Sequence, residues 1–381
     1  MKRKCKNVDI TNIEFIETAV KDCLKNKKKT RSDIVNIFKE YGNVHGIAVQ
    51  LQKEILDRKL ELKPIWYKEK WDETSAKWRN IGVQDIKQQM YDYVAVNAMG
   101  DLLKRVGKYQ CASIKGRGQI YCVKALYRKI QDKRIRYACS FDVKKYYESI
   151  NRNKLMEWLA KHIKNDELLW LIETLINTFN KGLSIGSFLS QHLANLYLSD
   201  MYHTITENMY RVRNKKNGKS LRVNLVSACY MYMDDIHIVG TNSKDLIKAA
   251  LKIVSMAKDI GLTIKSNWKC YRIDDKFIDL CGYRVYRDHI EVRRTTLKRI
   301  RRSYIRYEKK PNNKQLARRV ISHYGILKYS DSYIFCHKYN VYKLLKIARK
   351  VVSNDSKSRR TTARSCYKNR YQRNSMGVLV S

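Results

Sequence analysis

An α+β fold with an antiparallel sheet is predicted by three features of the sequence. Tyr137-Ala-Cys-Ser-Phe141 is a short apolar run of strand-forming residues that ends on an acid, Asp142. Leu225 to Tyr232 and Ile236 to Val239 are two more strand-like runs, bracketing Met233-Asp234-Asp235 in the layout of a tight hairpin with two acids at its tip. Around them apolar residues take helical spacing near Asn153 to His162, Glu167 to Asn177, Phe188 to Glu207 and Ser243 to Lys258. Strands return at Leu262 to Lys265 and Ile278 to Val285, and this order describes helices layered on an antiparallel sheet.

The flanking segments read as follows. Residues 1–60 form basic helices, with Ile34, Ile37, Phe38, Val44, Ile47 and Val49 at mixed helical spacing among lysines. Residues 64–130 mix short strands with a helix near Ile86 to Arg105 and carry the loop Ala112-Ser-Ile-Lys-Gly-Arg-Gly-Gln119. After Val292 the chain is helical and very basic, and its cations alternate with Tyr304, Tyr307, Tyr324, Tyr329 and Tyr333. Interleaved cations and aromatics suit a surface that follows a phosphate backbone and stacks on bases. There are only two prolines, Pro64 and Pro311, and no Gly/Ser linker, so domain boundaries must come from changes of pattern.

Composition agrees. The 381 residues include 79 Lys and Arg against 36 Asp and Glu, a formal charge of +43 that a compact chain tolerates best beside a polyanion. At 44% apolar residues the chain buries a core, which excludes wholesale disorder. Apolar runs are too short to span a bilayer, and the start lacks a signal peptide's apolar stretch. The ten cysteines contain no CxxC pair and read as reduced core thiols.

Asp142, Asp234 and Asp235 are the chemically unusual residues. Adjacent acids flanked by strand formers repel each other, so placing them near a third acid calls for cations. Two Mg²⁺ ions about 4 Å apart would supply them and clamp the attacking and leaving oxygens of a phosphoryl transfer. An ordinary Asp-Asp turn is the competing reading, and the surrounding words decide against it.

Tyr232-Met233-Asp234-Asp235 resembles the YxDD box of reverse transcriptases, and Phe141-Asp142-Val-Lys-Lys-Tyr-Tyr147-Glu-Ser-Ile150 resembles the preceding motif of that family. Between them lies Gly182-Leu-Ser-Ile185-Gly186-Ser-Phe-Leu-Ser190-Gln191-His-Leu-Ala-Asn195, similar to the motif beneath template and incoming nucleotide. Gly261-Leu-Thr-Ile-Lys265-Ser-Asn-Trp-Lys269 and Ile278-Asp-Leu-Cys-Gly282-Tyr283-Arg284 resemble the lysine-bearing loop and the primer-grip hairpin. Lys77-Trp-Arg79-Asn-Ile81 and Ser113-Ile-Lys-Gly-Arg117-Gly118 resemble fingers motifs. Ile185-Gly186 followed by Ser190-Gln191, in place of the Pro-Gln-Gly-Gly of many relatives, is similar to prokaryotic enzymes of diversity-generating retroelements and phage defence.

The resemblance implies a right-hand polymerase: a basic helical extension over 1–63, fingers over 64–135, a palm over 136–292 with part of the fingers inserted, a thumb over 293–352 and a flexible basic tail over 353–381. It implies an RNA-directed DNA polymerase of the bacterial or phage cytoplasm, copying a structured non-coding RNA into cDNA with dNTPs. DNA is its primer or product, and a basic accessory protein or a second copy stays open as a further partner. Asp142, Asp234, Asp235 and the main-chain carbonyl of Val143 would hold two Mg²⁺ ions, with Mn²⁺ as a substitute. Lys77 and Arg79 would neutralise the triphosphate, and Lys269 or Lys265 would be the acid near the pyrophosphate. Gly186, Ser190 and Gln191 would lie under the nucleotide, while Arg117, Gly282 and Tyr283 would hold primer and template. Tyr147, five residues after Asp142, would lie beneath the nucleotide sugar, collide with a 2′-hydroxyl and favour dNTPs. The rival readings are a non-catalytic RNA-binding or splicing cofactor on the same scaffold, and an RNA-dependent RNA polymerase. Neither terminal segment has room for an RNase H or endonuclease domain.

Overall fold

Asparagine side chains begin most of the long helices. Asn12 caps α1 (Ile13–Leu24) by accepting from Phe15 N, and Asn43 caps α3 (Val44–Leu56) through Gly46 N, with α2 (Ser32–Tyr41) between them. The structure, a computed structural model, describes residues 3–72, 77–214, 217 and 219–354. These fall into two units divided between Lys276 and Phe277.

In the first unit a two-stranded hairpin, β1 (Trp66–Asp72) and β2 (Lys77–Val83), leads into α4 (Ile86–Ala98), which is buried on nearly all sides: Met90, Tyr91, Val94 and Ala95 are fully covered. Helix α4 packs on α1, so the N-terminal helices belong to the same core as the rest of the unit. Lys87 forms a buried ion pair with Glu54 of α3, and Tyr91 Oη donates to the same carboxylate at 2.8 Å, which satisfies a charge that would otherwise be costly inside.

After α5 (Gly100–Leu103) come β3 (Gln110–Cys111), α6 (Gln119–Ile130) and β4 (Tyr137–Asp142). Next are α7 (Tyr146–Ser149), α8 (Arg152–His162), α9 (Asp166–Asn177), α10 (Phe188–Tyr197) and α11 (Ser199–His203), the last running into a π-turn over Thr204–Asn208. The single helix expected from Phe188 to Glu207 is thus broken at Leu198. A hairpin of β5 (Tyr210–Asn214) and β6 (Ser220–Asn224), which the sequence reading missed, precedes β7 (Ala228–Tyr232) and β8 (Asp235–Gly240); α12 (Ser243–Asp259) and β9 (Cys270–Arg272) follow.

The main sheet has the order β3-β7-β8-β4-β9. It is antiparallel as expected, except that β3 runs parallel to β7 for two residue pairs. The expected strand at Leu262 to Lys265 is reduced to one bridge, Ile264 to Val143.

The second unit holds the meander β10 (Ile278–Leu280), β11 (Tyr283–Val285) and β12 (Ile290–Val292), then α13 (Arg294–Lys309), α14 (Lys314–Leu327), α15 (Tyr333–Lys338) and a helical stretch over 341–354. Tyr304 and Tyr307 are fully buried, and Tyr304 Oη donates to Val320 O at 3.0 Å. The expected stacking surface therefore loses these two rings, because α13 turns its aromatic stripe into the core and its arginines outward. Tyr333 remains 69% exposed. The basic tail lies, from residue 355 on, outside the described residues.

Candidate active site

Strands β7 and β8 are joined by two residues, Met233 and Asp234, with Tyr232 opposite Asp235. Met233 holds φ +55°, a conformation costly for a long side chain, and the buried strands on either side fix it there. Only Asp234 stands in the loop. Asp235, expected beside it at the tip, is the first residue of β8 and lies in register with Asp142 at the end of β4. The Val143 amide donates to Asp234 O at 3.2 Å, so the loop is stitched to the chain that follows Asp142.

Burial and the neighbouring charge of Asp142 push the Asp234 carboxyl above its ordinary range, opposed by its own backbone and by the cations of Arg79 and Lys265. Lys265 Nζ lies 2.6 Å from Asp142 Oδ2, and its amide donates to Asp142 O at 3.0 Å. Of the two lysines in this loop, Lys265 pairs with Asp142, whereas Lys269 is exposed. Among the described residues no three His, Cys, Asp or Glu side chains converge as a ready metal cluster. The donor set that is present nonetheless fits hard divalent cations. The carboxylates of Asp142 and Asp234 come from adjacent segments and repel each other, and oxygen donors of this kind suit such ions, with Lys265 offsetting part of the charge.

Tyr147 is half-buried against this hairpin. Its ring meets Tyr146 edge-on at 5.8 Å, and its hydroxyl points to Met233 Sδ at 3.8 Å. Burial first, then the charge of Asp234, push its phenol well above the usual range, so it stays neutral. Its carbonyl accepts from Leu183 N at 2.8 Å, and any side chain at Gly182 would strike that same oxygen.

The β1–β2 hairpin approaches the site through a contact between glycines. Gly82 N donates to Ile185 O at 2.8 Å, and Gly186, at φ +113°, is so close that a Cβ would lie 2.5 Å from Gly82 O. Arg79, on β2, pairs with Asp72 at 2.8 Å while its charge still acts on Asp234. Lys77 opens β2, but its side chain lies outside the described residues.

Asp92 is a residue the sequence reading missed. Fully buried on α4, it accepts from Ser187 Oγ at 2.8 Å and Leu189 N at 3.3 Å, and Gln84 Nε2 donates to it at 3.3 Å. Burial raises its carboxyl to about 6. It anchors the loop before α10, together with Ser187, which caps that helix at Ser190 N. An acid within the apolar pattern of α4 was the available signal. Ser190 is itself buried, its Oγ accepting from Ser184 N at 3.3 Å, while half-buried Gln191 accepts from Ser113 Oγ at 2.7 Å. Asn195 Nδ2 donates to Ala112 O at 2.9 Å, so the 112–118 loop is fastened to α10.

The remaining sequence candidates have structural partners. Arg117 Nη1 donates to Val106 O and Gly107 O at 3.2 and 2.8 Å. In the second unit Gly282 holds φ +85° in the β10–β11 turn, and Tyr283 is buried with its hydroxyl on Ile326 O at 3.1 Å. The Tyr283 ring is therefore a core group of its unit, because its sheet face packs on α14.

Residues 68–285 match the family described as Reverse transcriptase (RNA-dependent DNA polymerase). The chain belongs to that family, and its α+β architecture is the right-hand fold expected for it. Among solved structures it is similar to an apo telomerase from Candida tropicalis truncated from its C-terminal domain, with 13% identity and a TM-score of 0.42, over 65% of this chain and 60% of that chain. No curated protein matches the sequence. No helix among the described residues is long and apolar enough to cross a membrane.

Proposed function

We propose that the chain copies an RNA template into DNA by two-metal nucleotidyl transfer at Asp142 and Asp234. The observation that carries this is the meeting of the β4 terminus with the β7–β8 loop, where Asp142 lies in register with Asp235 and the Val143 amide ties the chain after Asp142 to the half-buried Asp234. Asp142, Asp234 and the Val143 carbonyl would hold the Mg²⁺ ions, for which Mn²⁺ can substitute, with Asp235 supporting from the adjoining strand. Bound there, the ions would lower the pKa of a primer 3′-hydroxyl and offset charge on the leaving pyrophosphate.

The chain's own residues supply position and charge. Arg79 offers a guanidinium for the triphosphate, and Lys265 brings an ammonium to the same end of the sheet. Tyr147, neutral and braced by Tyr146, presents a flat ring for the sugar and favours dNTPs. The Ile185-Gly186 and Ser190-Gln191 pattern supports a place among diversity-generating or phage-defence enzymes, with a dedicated structured RNA as template.

The purified protein, given a primed RNA template, dNTPs and Mg²⁺, should extend the primer, and Asp234→Asn should not. RNA binding without incorporation on any template would instead support the non-catalytic reading. Sequencing the nucleic acid that copurifies would identify template, primer junction and product together.

A further inference from the structure

The β5–β6 hairpin stands apart from the core. Every residue of β5 is exposed, and in β6 only Val223 is half-covered. Its base is closed by the Leu225 amide on Met209 O at 2.9 Å, and both of those side chains are buried. The chain thus leaves the core at Met209 and re-enters it at Leu225, with a ribbon between that fills no part of the interior. A two-stranded ribbon with so little burial is marginal by itself. Among the described residues an ion pair to the core joins Arg211 Nε to Asp245 Oδ2 of α12 at 3.1 Å.

The ribbon's charge is of one sign. Tyr210 to Asn224 contains no Asp or Glu, and the described residues include Arg211, Arg213, Lys219 and Arg222. Cations guard an exposed strand edge against aggregation; cations spread over both faces with no acid among them also suit a polyanionic partner. The register places these cations on opposite faces. Arg211 and Arg213, with Val223 and Leu221 across from them, share one face, while Arg222, opposite Val212, lies on the other with Tyr210. The Arg222 guanidinium covers the Tyr210 ring at 4.6 Å, so the ribbon's aromatic side chain is already occupied and does not present a bare stacking platform.

We infer that this ribbon grips double-helical nucleic acid of A-form geometry, an RNA stem or an RNA–DNA hybrid, through phosphates on both sides of a groove. A single strand would engage one face only. A ribbon entering edge-on, its strands about 5 Å apart, turns one cationic face toward each backbone of the duplex, and A-form helices offer a wide, shallow minor groove for such an approach. The choice of A-form rests on the polymerase reading, which makes RNA the template; the contact with a duplex rests on the ribbon.

The test is fluorescence anisotropy with the full chain and three labelled probes: an RNA hairpin, an RNA–DNA hybrid and an unpaired RNA of the same length, across a salt series. Arg213→Gln with Arg222→Gln should weaken binding of both duplexes by roughly tenfold and flatten the salt dependence by about one unit per arginine. Unpaired RNA, which meets one face and so loses one cation, should weaken clearly less than either duplex, and the melting temperature should stay as in the parent. Replacing Tyr210–Asn224 by Gly-Gly should reproduce the loss; should that chain fail to fold, the double variant still decides. Unchanged duplex affinity, or an equal loss on the unpaired strand, overturns the inference. Binding is read without nucleotides, so failure of primer extension by the parent would count against the polymerase reading and leave this result standing.

Discussion

Two hairpins follow one another in this chain, and they are opposites. β7–β8 has Cys229, Tyr230, Met231, Ile236, Ile238 and Val239 buried, and its two-residue tip carries Asp234. β5–β6 ends only three residues earlier, pairs just as regularly, and is exposed on both faces. Their backbone pairing is the same, so pairing does not separate their roles. Packing does. Buried neighbours hold Met233 at a positive φ and keep the half-buried Asp234 near Asp142, where Lys265 supplies the counter-charge. The exposed ribbon keeps its cations hydrated and available, which suits contact with a long anion.

The comparison breaks most visibly at the palm tip. Asp234→Asn should reduce primer extension by at least roughly a thousandfold, the scale of losing several kcal/mol of charge stabilisation. Its melting temperature should not fall, since the substitution removes a carboxylate that burial and Asp142 disfavour. Activity near the parent's would remove Asp234 from the chemistry.

Stability should divide the hairpins next. Ile238→Ala, at a fully buried position of β8, is expected to cost about 2–5 kcal/mol in denaturant unfolding. Leu221→Ala on β6, 46% exposed, should stay within about 0.5 kcal/mol. Equal losses would mean that the ribbon is part of the core after all.

Asp92 gives a pH signature to the support beneath the palm. Its folded-state value is raised to about 6 from an ordinary 3.8. The folded chain therefore holds this proton more tightly than the unfolded one, and the stabilisation is full below pH 3.8 and lost as pH rises through 6, by up to about 3 kcal/mol. Melting curves of the parent and Asp92→Asn should diverge in slope between pH 4 and 6 and run parallel above 7. Parallel curves throughout would contradict the assignment.

The smallest expected effect concerns the sugar. Tyr147→Ala should raise rNTP use relative to dNTP use by roughly tenfold, read in a competition extension assay. An unaltered ratio would leave Tyr147 as a packing residue of the hairpin.

Much of the first unit was legible because its signals are local. The apolar run Tyr137 to Phe141, the helix periods of α8, α9 and α12, and the acids at 142 and 234 each sit within a few residues of what they predict. The β5–β6 ribbon was not legible, since strands exposed on both faces lack the apolar run or clean alternation that marks a strand. Tyr304 and Tyr307 misled for a related reason: a tyrosine in a basic segment reads as a stacking group, yet here these rings face inward among helices.

By itself the sequence determined the chemistry: a large cationic excess, acids at the ends of hydrophobic strands, and an ordered set of motifs that place the chain in the reverse transcriptase family. Only the tertiary structure decided which groups meet. Register moved Asp235 from the tip into the strand opposite Asp142, the Val143–Ile264 bridge brought Lys265 against Asp142, and burial against Ser187 made Asp92 an anchor. The reason is physical. Residue type sets charge and propensity within a few bonds, whereas proximity across the fold and exclusion of water depend on segments more than a hundred residues apart, as Lys265 and Asp142 are.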